Sequence, residues 1–283
     1  MIRQMARELY EYRELLFALT WRDIRVKYKQ AVMGILWVFF MPMLAILAGI
    51  IIRFAMAYLQ GGALEWEAVT SVIARSQPWL IFAAILGTTS QGLLSGMGLA
   101  SKIYFPRHVI PLASTLGVLF DYAISITAVT VVLIIVSSFT NVGVMVTPWL
   151  LLVPVFLLLL ITMAVGLGLI FGSGNLFFRD VKYIVQVLLQ FGIFFTPVYW
   201  FVHEMGRFGQ LMMINPLAPL IEGISQCIVG HVIEGAGSGA VYSPGLDPAM
   251  WPFVAYATAF ALGVLWLGLA VFRRSEPRFA EVM

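Results

Sequence analysis

"WRDIRVKYKQ", residues 21–30, runs directly into a stretch from Ala31 to Ile52 with no Asp, Glu, Lys or Arg. At helical spacing Trp21, Ile24 and Tyr28 share one face, and Arg22, Arg25 and Lys29 share the neighbouring one. Both halves are explained together if a basic amphipathic helix feeds straight into a membrane span.

The remainder of the chain has the composition that this requires. Of its 283 residues 61% are hydrophobic and only 11% charged, where soluble domains average about a quarter charged. The mean hydropathy is +0.95. Uncharged runs near 20 residues, rather than alternating segments near ten, predict an all-α membrane protein and exclude an outer-membrane barrel. The single cysteine, Cys227, rules out an internal disulfide and a cysteine metal cluster. Arg3, Arg7 and Arg13, with acids between them and no cleavage-site pattern, argue against a removable signal peptide.

Six spans are expected, near residues 33–56, 78–99, 110–136, 148–172, 183–202 and 250–271. Pro78 opens the second in this scheme. The uncharged tract between Tyr122 and Phe178 is divided by the turn signals "SSFTNVG" (137–143) and "TPW" (147–149). Six spans put both termini on one side, together with residues 100–109 and 173–182. That side carries 14 of the 17 Lys and Arg, leaving Arg53, Arg75 and Arg207 opposite. The positive-inside rule then places both termini in the cytoplasm. One domain is expected: cytoplasmic helices over 1–32, a bundle over 33–272 and a tail over 273–283. The outer segment 203–247 contains "GQLMMINPLAPLIEGISQCIVG", too apolar for a free loop and too broken for a span. Pro216 and Pro219 predict a helix–break–helix hairpin re-entering the outer leaflet.

Several chemistries are missing. No Gly-Lys dipeptide occurs, so this chain carries no phosphate loop and no ATP site of its own. His108, His203 and His231 are scattered, without metal-ligand spacing. Asp121 is the one acid placed at clear membrane depth, either lining a cavity or accepting a hydrogen bond between helices. Glu65 and Glu67 are paired acids but lack the partner motif of a membrane sugar-processing enzyme. The polar signal lies instead in two short cytoplasmic elbows, "ASKIYFPRHVIPL" (100–112) and "GNLFFRDVKY" (174–183). Such elbows suit either docking to a soluble partner or anchoring at the membrane surface.

Five stretches, in this order, resemble the permease subunits of ABC exporters for lipid-linked polysaccharide, the Wzm-type O-antigen exporters. They are "YRELLFALTWRDIRVKYKQAVMGILWVFFMPM" (12–43), "KIYFPRHVIPL" (102–112), "NLFFRDVKYIVQVLLQFGIFFTPVYW" (175–200), "NPLAPLIEGI" (215–224) and "FRRSEPRFAEVM" (272–283). The resemblance implies an inner-membrane homodimer of six-span subunits served by two copies of a separate ATPase, which alone would hold ATP and Mg. It implies an interface helix over about 5–18, with Leu9, Tyr12, Leu16 and Leu19 on one face, and a gate-like helix over 21–30. Lys102, Tyr104, Phe105, Pro106 and Arg107 would form the elbow that the ATPase pushes, and residues 208–230 the outer gate. The Gly-rich link "GHVIEGAGSGAVYSPGLDP" (230–248) departs from the expected pattern.

By the same resemblance the cargo is an undecaprenyl-diphosphate-linked glycan. Arg22, Arg25, Lys27 and Lys29 lie where the anionic head must enter. Plain attraction to anionic lipid explains them equally well. Trp37, Phe40, Phe191, Phe194, Phe195, Tyr199 and Trp200, with Asp121, are the candidates for a channel lining along which sugars slide. A teichoic-acid or capsular exporter would share this architecture. An ATP-independent secondary carrier would instead work without a partner. Neither a catalytic role nor a nucleic-acid partner is expected.

Overall fold

The computed structural model describes residues 7–8, 10–29, 34–59, 61, 66–100, 106, 108–140, 147–233 and 241–276. Helix α1 covers Arg13–Lys29, and α2, Leu36–Leu59, follows a turn in which Gly34 takes a positive φ of 50°. Helices α3 (Trp66–Ala100), α4 (Val109–Thr140) and α5 (Val153–Phe177) come next, α5 being led in by a 3₁₀ turn over Pro148–Leu152. Then come the shorter helices α6 (Val181–Gly192), α7 (Arg207–Met212) and α8 (Leu217–Val229). A two-stranded hairpin, β1 (His231–Ile233) with β2 (Val241–Ser243), closes the Gly-rich link, and α9 (Trp251–Ser275) ends the described chain.

Five of these helices are long and apolar enough to cross a bilayer: Leu36–Leu59, Ala68–Gly92, Val109–Ile135, Pro148–Phe177 and Pro248–Ser275. The α3 segment lies at the centre, with 83% of its most apolar window buried, against 17–33% for the other four. Its neighbours press close. A Cβ added at Gly268 on α9 would stand 2.4 Å from the Gly166 carbonyl oxygen on α5, and one at Gly166 would stand 2.7 Å from the Leu265 backbone. The two backbones are in contact, the arrangement that small residues allow where lipid supplies no hydrophobic drive between helices. On α5's opposite flank, Gly168 admits the Thr89 side chain of α3 in the same way.

Three expectations are corrected. The second long helix does not open at Pro78; it begins at Trp66 and carries Pro78 inside it. Arg75, expected between the first two spans, is therefore a buried residue of that helix. The segment expected to span 183–202 forms a helix only over Val181–Gly192, with a single 3₁₀ turn to Phe195. Fifteen residues rise about 22 Å, short of the ~30 Å apolar layer. The break comes from Pro197, which forces the preceding residue out of the helical region: Thr196 is extended, φ −125° and ψ 155°.

Finally, the amphipathic and gate helices expected over 5–18 and 21–30 are one helix from Arg13 to Lys29. No glycine or proline interrupts it, and Thr20 returns its hydroxyl to the Leu16 carbonyl at 2.8 Å. The face bearing Tyr12, Leu16 and Leu19 packs on Val109, Ile110 and Ala113 of α4. Leu9 lies outside the described residues. The expected break around Pro216 is present, with that residue capping α8.

Candidate functional site

Among the described residues, two charged centres interrupt the apolar bundle. The first, on the side expected to be cytoplasmic and for that reason called inner, joins α1 to α4. Asp121, three turns into α4, accepts hydrogen bonds from Lys27 Nζ and from the Tyr28 hydroxyl. Neighbouring positions on one helix thus grip a single carboxylate. Burial, reinforced by that bond and by the carboxylate's charge, pushes the Tyr28 hydroxyl above its usual range, so it remains a donor. Lys27 keeps 59% of its side chain exposed while Asp121 keeps 16%, so the pair is only partly buried and correspondingly weaker than a fully shielded one.

Two cavities meet at this pair. One, of about 390 Å³, opens between Asp23 and Ile24 of α1, Gln91 of α3 and Ser114 of α4. The other, of about 450 Å³, runs outward past Trp37, Met41, Gln77 and Tyr122. Asp121 is thus both a cavity-lining acid and an acceptor between helices. Trp37 shares its cavity. The other basic residues of α1 do not converge there: Arg22 is paired with its neighbour Asp23 at 2.7 Å, Arg25 lies over Trp21 at 5.4 Å, and Lys29 is exposed.

The aromatic candidates separate by burial. Phe40, Phe191, Phe194 and Phe195 are exposed on the surface of the single chain, and Trp200 is half-buried against the core. Tyr199, also expected as channel lining, is 6% exposed and packs within the single chain. Its ring fills the space left by Gly49, where a Cβ would approach to 2.7 Å. In the elbow, Lys102, Tyr104, Phe105 and Arg107 lie outside the described residues. Pro106 is half-buried, and its carbonyl accepts from the Val109 amide at 3.1 Å.

The outer centre is absent from the sequence reading. Arg75 of α3 grips Glu222 of α8 through two parallel bonds, Nε–Oε2 and Nη2–Oε1, each 2.9 Å. Their side chains are 5% and 4% exposed. Gln226 adds a 3.4 Å bond to Glu222 and accepts from the Asp247 amide at 3.0 Å. Beside them Arg53 of α2 grips Glu204 at 2.5 and 2.6 Å. Both guanidinium groups stack on Phe201, at 4.0 and 4.4 Å from the ring centre. One ring and two bidentate pairs therefore tie the outer segment 201–230 to α2 and α3. Glu222 is thus a second acid placed within the helical bundle, and it is more deeply buried than Asp121. A lone Arg and a lone Glu, each within an apolar helix, were the available signal, because such charges persist when they pair.

The comparisons with known proteins agree on one affiliation. The profile of the ABC-2 type transporter family matches residues 14–229. The chain is 25% identical over 281 residues, 98% of each protein, to an O-antigen export system permease protein RfbA of Myxococcus xanthus. Two proteins of the same description from Klebsiella pneumoniae are each 24% identical to it, over 273 and 278 residues and 95% of each protein.

Proposed function

This chain belongs to the ABC-2 type transporter family, and we propose that it is the membrane-spanning permease of an ATP-driven exporter that moves an O-antigen-like, undecaprenyl-diphosphate-linked polysaccharide out of the cytoplasm. The observation that carries this reading is the similarity, over 95–98% of their length, to relatives described as O-antigen export permeases. In this reading two copies enclose the channel, both termini are cytoplasmic and two ATPase subunits dock below. The broken segment 181–205 completes the crossing as a sixth, interrupted span, sheltered by protein because irregular backbone cannot face lipid.

The inner centre supplies a chemistry for admitting the cargo. A diphosphate arriving at the inner headgroup level competes with Asp121 for Lys27, since phosphate oxygens accept charge-assisted bonds at least as well as a carboxylate. Exchange frees Lys27 from Asp121 at the junction of the two adjoining cavities, while Leu19 keeps α1 packed on α4. Arg22, Arg25 and Lys29, exposed on the same helix, concentrate the anion at the surface. ATP-driven motion of the partner enters through residues 102–107. Trp37, Phe40 and the exposed phenylalanines of 191–195 offer the glycan apolar faces once two copies meet.

Deleting the gene and locating the lipid-linked glycan tests the reading. Accumulation on the cytoplasmic leaflet supports it; normal export removes it. Vesicles holding this chain alone should move no cargo, and unaided transport would favour a secondary carrier. Replacing Tyr104 and Arg107 with alanine should uncouple ATP hydrolysis from export, and unchanged coupling would discard the elbow.

A further inference from the structure

Helix α6 leaves one side unused. Val185 is 1% exposed, Leu189 packs on the core, and a Cβ added at Gly192 would stand 2.6 Å from the Trp79 ring of α3. Those contacts fix the roll of the helix and turn its other side away from its own bundle. Along that side Tyr183, Ile184, Gln186, Val187, Leu188 and Gln190 are exposed.

At about 100° per residue these positions separate into two flanks. Ile184 and Leu188 belong to one, wholly apolar, which hydrocarbon satisfies. Tyr183, Gln186 and Gln190, with Val187 beside them, belong to the other, and it carries every polar side chain of the helix beyond Lys182. Neither glutamine makes a hydrogen bond among the described residues. Gln190 lies eight residues past Lys182, about 12 Å further from the charged elbow. An amide held against lipid there would leave two donors and an acceptor unanswered.

What covers this flank must therefore offer donors and acceptors together, without charge. A primary amide meets that demand for another primary amide, donor to acceptor in both directions. A lysine or a carboxylate could not pair with its own copy. Amides thus suit an isologous contact, in which one patch must complement itself. The spacing agrees: Tyr183, Val187 and Gln190 recur at intervals of four and three, the seam of two parallel helices, where same-numbered core residues face each other across the two-fold axis. Two copies inserted in the same sense present α6 in that parallel arrangement.

We infer that two copies of this chain meet along the Tyr183–Gln190 flank of α6, each Gln190 amide bonding the Gln190 amide of the other copy, with Gln186 bracing the contact one turn away. The inference rests on the two-copy reading above and adds the face and the bonds that hold it. Because lipid supplies no hydrophobic drive between helices, the amide bonds carry the seam.

The experiment is oxidative cross-linking in membranes of the cells that naturally make this chain. The native thiol does not interfere, since Cys227 is fully buried. Val187→Cys and Gln190→Cys should each give a disulfide-linked dimer, and Leu188→Cys, exposed on the other flank, at least tenfold less. In vesicles, energy transfer between labelled copies should show Gln190→Leu dimerising about tenfold more weakly, the worth of two interhelical hydrogen bonds, with thermal unfolding of the chain unchanged. Equal cross-linking at Leu188→Cys and Gln190→Cys would overturn the inference. So would rapid labelling of Gln190→Cys by a membrane-impermeant maleimide with no dimer formed, which would place the amides in an aqueous lumen. A natural chain that stays monomeric at every protein-to-lipid ratio would sink the two-copy reading itself. A dimer that forms without linking at positions 187 and 190 would sink this face alone.

Discussion

Removing the Arg75 side chain by itself, as Arg75→Met, strands a carboxylate where its own side chain is only 4% exposed. Both Glu222 oxygens lose a 2.9 Å bond. The partner left to one of them is the Gln226 amide, neutral and 3.4 Å away. Breaking a buried pair from one side costs about 3–5 kcal/mol, whereas replacing both members with apolar groups of similar volume is often neutral or stabilising. At about 1.4 kcal/mol per tenfold, the single variant should shift the folding equilibrium by roughly a hundredfold to a few thousandfold. Glu222→Met should cost a comparable amount, eased slightly because Phe201 still faces the guanidinium at 4.4 Å. The double variant should recover to within about 1 kcal/mol of the natural chain. The assay is a double-mutant cycle on thermal unfolding of the purified chain in one detergent. If the two single costs simply add in the double variant, or if Arg75→Met unfolds at the natural temperature, the pair is not a buried clasp.

The inner pair should behave in the opposite way. Asp121→Asn should lower stability by less than about 1 kcal/mol, because Lys27 already stands largely in water; a loss as large as that of Arg75→Met would show that the pair is structural. Gly268→Ala should cost about 1–3 kcal/mol by pushing a Cβ against the Gly166 carbonyl, while Gly263→Ala on the same helix, with nothing within 4 Å, should be neutral or slightly stabilising. Equal effects would mean that α5 and α9 do not touch there. Stability should also fall on mild acidification. Burial holds His108 below its ordinary value of 6.5, against the opposing pull of Glu8 and Glu276. The unfolded chain therefore binds the proton first, and the contribution is intact above about pH 6.5 and declines as pH drops below it. Unfolding followed from pH 7.5 to 5 should show that slope, and His108→Gln should reduce it, the remainder coming from His203, which burial also holds low.

What could be read from the sequence follows from the range over which each cause acts. Uncharged length is a local property, so the helices beginning near Leu36, Val109, Pro148 and Pro248 were visible as runs. Pro216 acts on the residues beside it, and the helix break there was visible too. Arg75 was misplaced because a lone arginine in a span is costly, and the acid that offsets the cost sits 147 positions further on. No window over either residue contains the other. The division of 5–30 into two helices came from the resemblance alone; in this chain nothing between Arg13 and Lys29 stops a helix. Tyr199 was assigned by residue type. Its burial depends on Gly49, a gap on another helix that a one-dimensional reading cannot pair with it.

The two centres differ in a way that bears on which parts move. The inner pair is half-exposed and can exchange partners at little cost; the outer pair is shielded, bidentate and costly to open. Helix α3 carries both, with Arg75 in the outer clasp and Thr88 and Gln91 lining the inner cavities. Thirteen residues of helix between Arg75 and Thr88, Pro78 among them, span about 20 Å. In the proposed cycle Arg75–Glu222 couples that helix to the outer segment, so that α3 and α8 move together, while the Lys27–Asp121 pair exchanges partners. In that cycle a push on residues 102–107, just beyond the inner end of α3, need not be relayed side chain by side chain. It displaces the helix, and the outer segment at its far end moves with it. Loosening the clasp with Glu222→Gln should then preserve ATP hydrolysis while reducing export, because the helix would still move but no longer carry the gate.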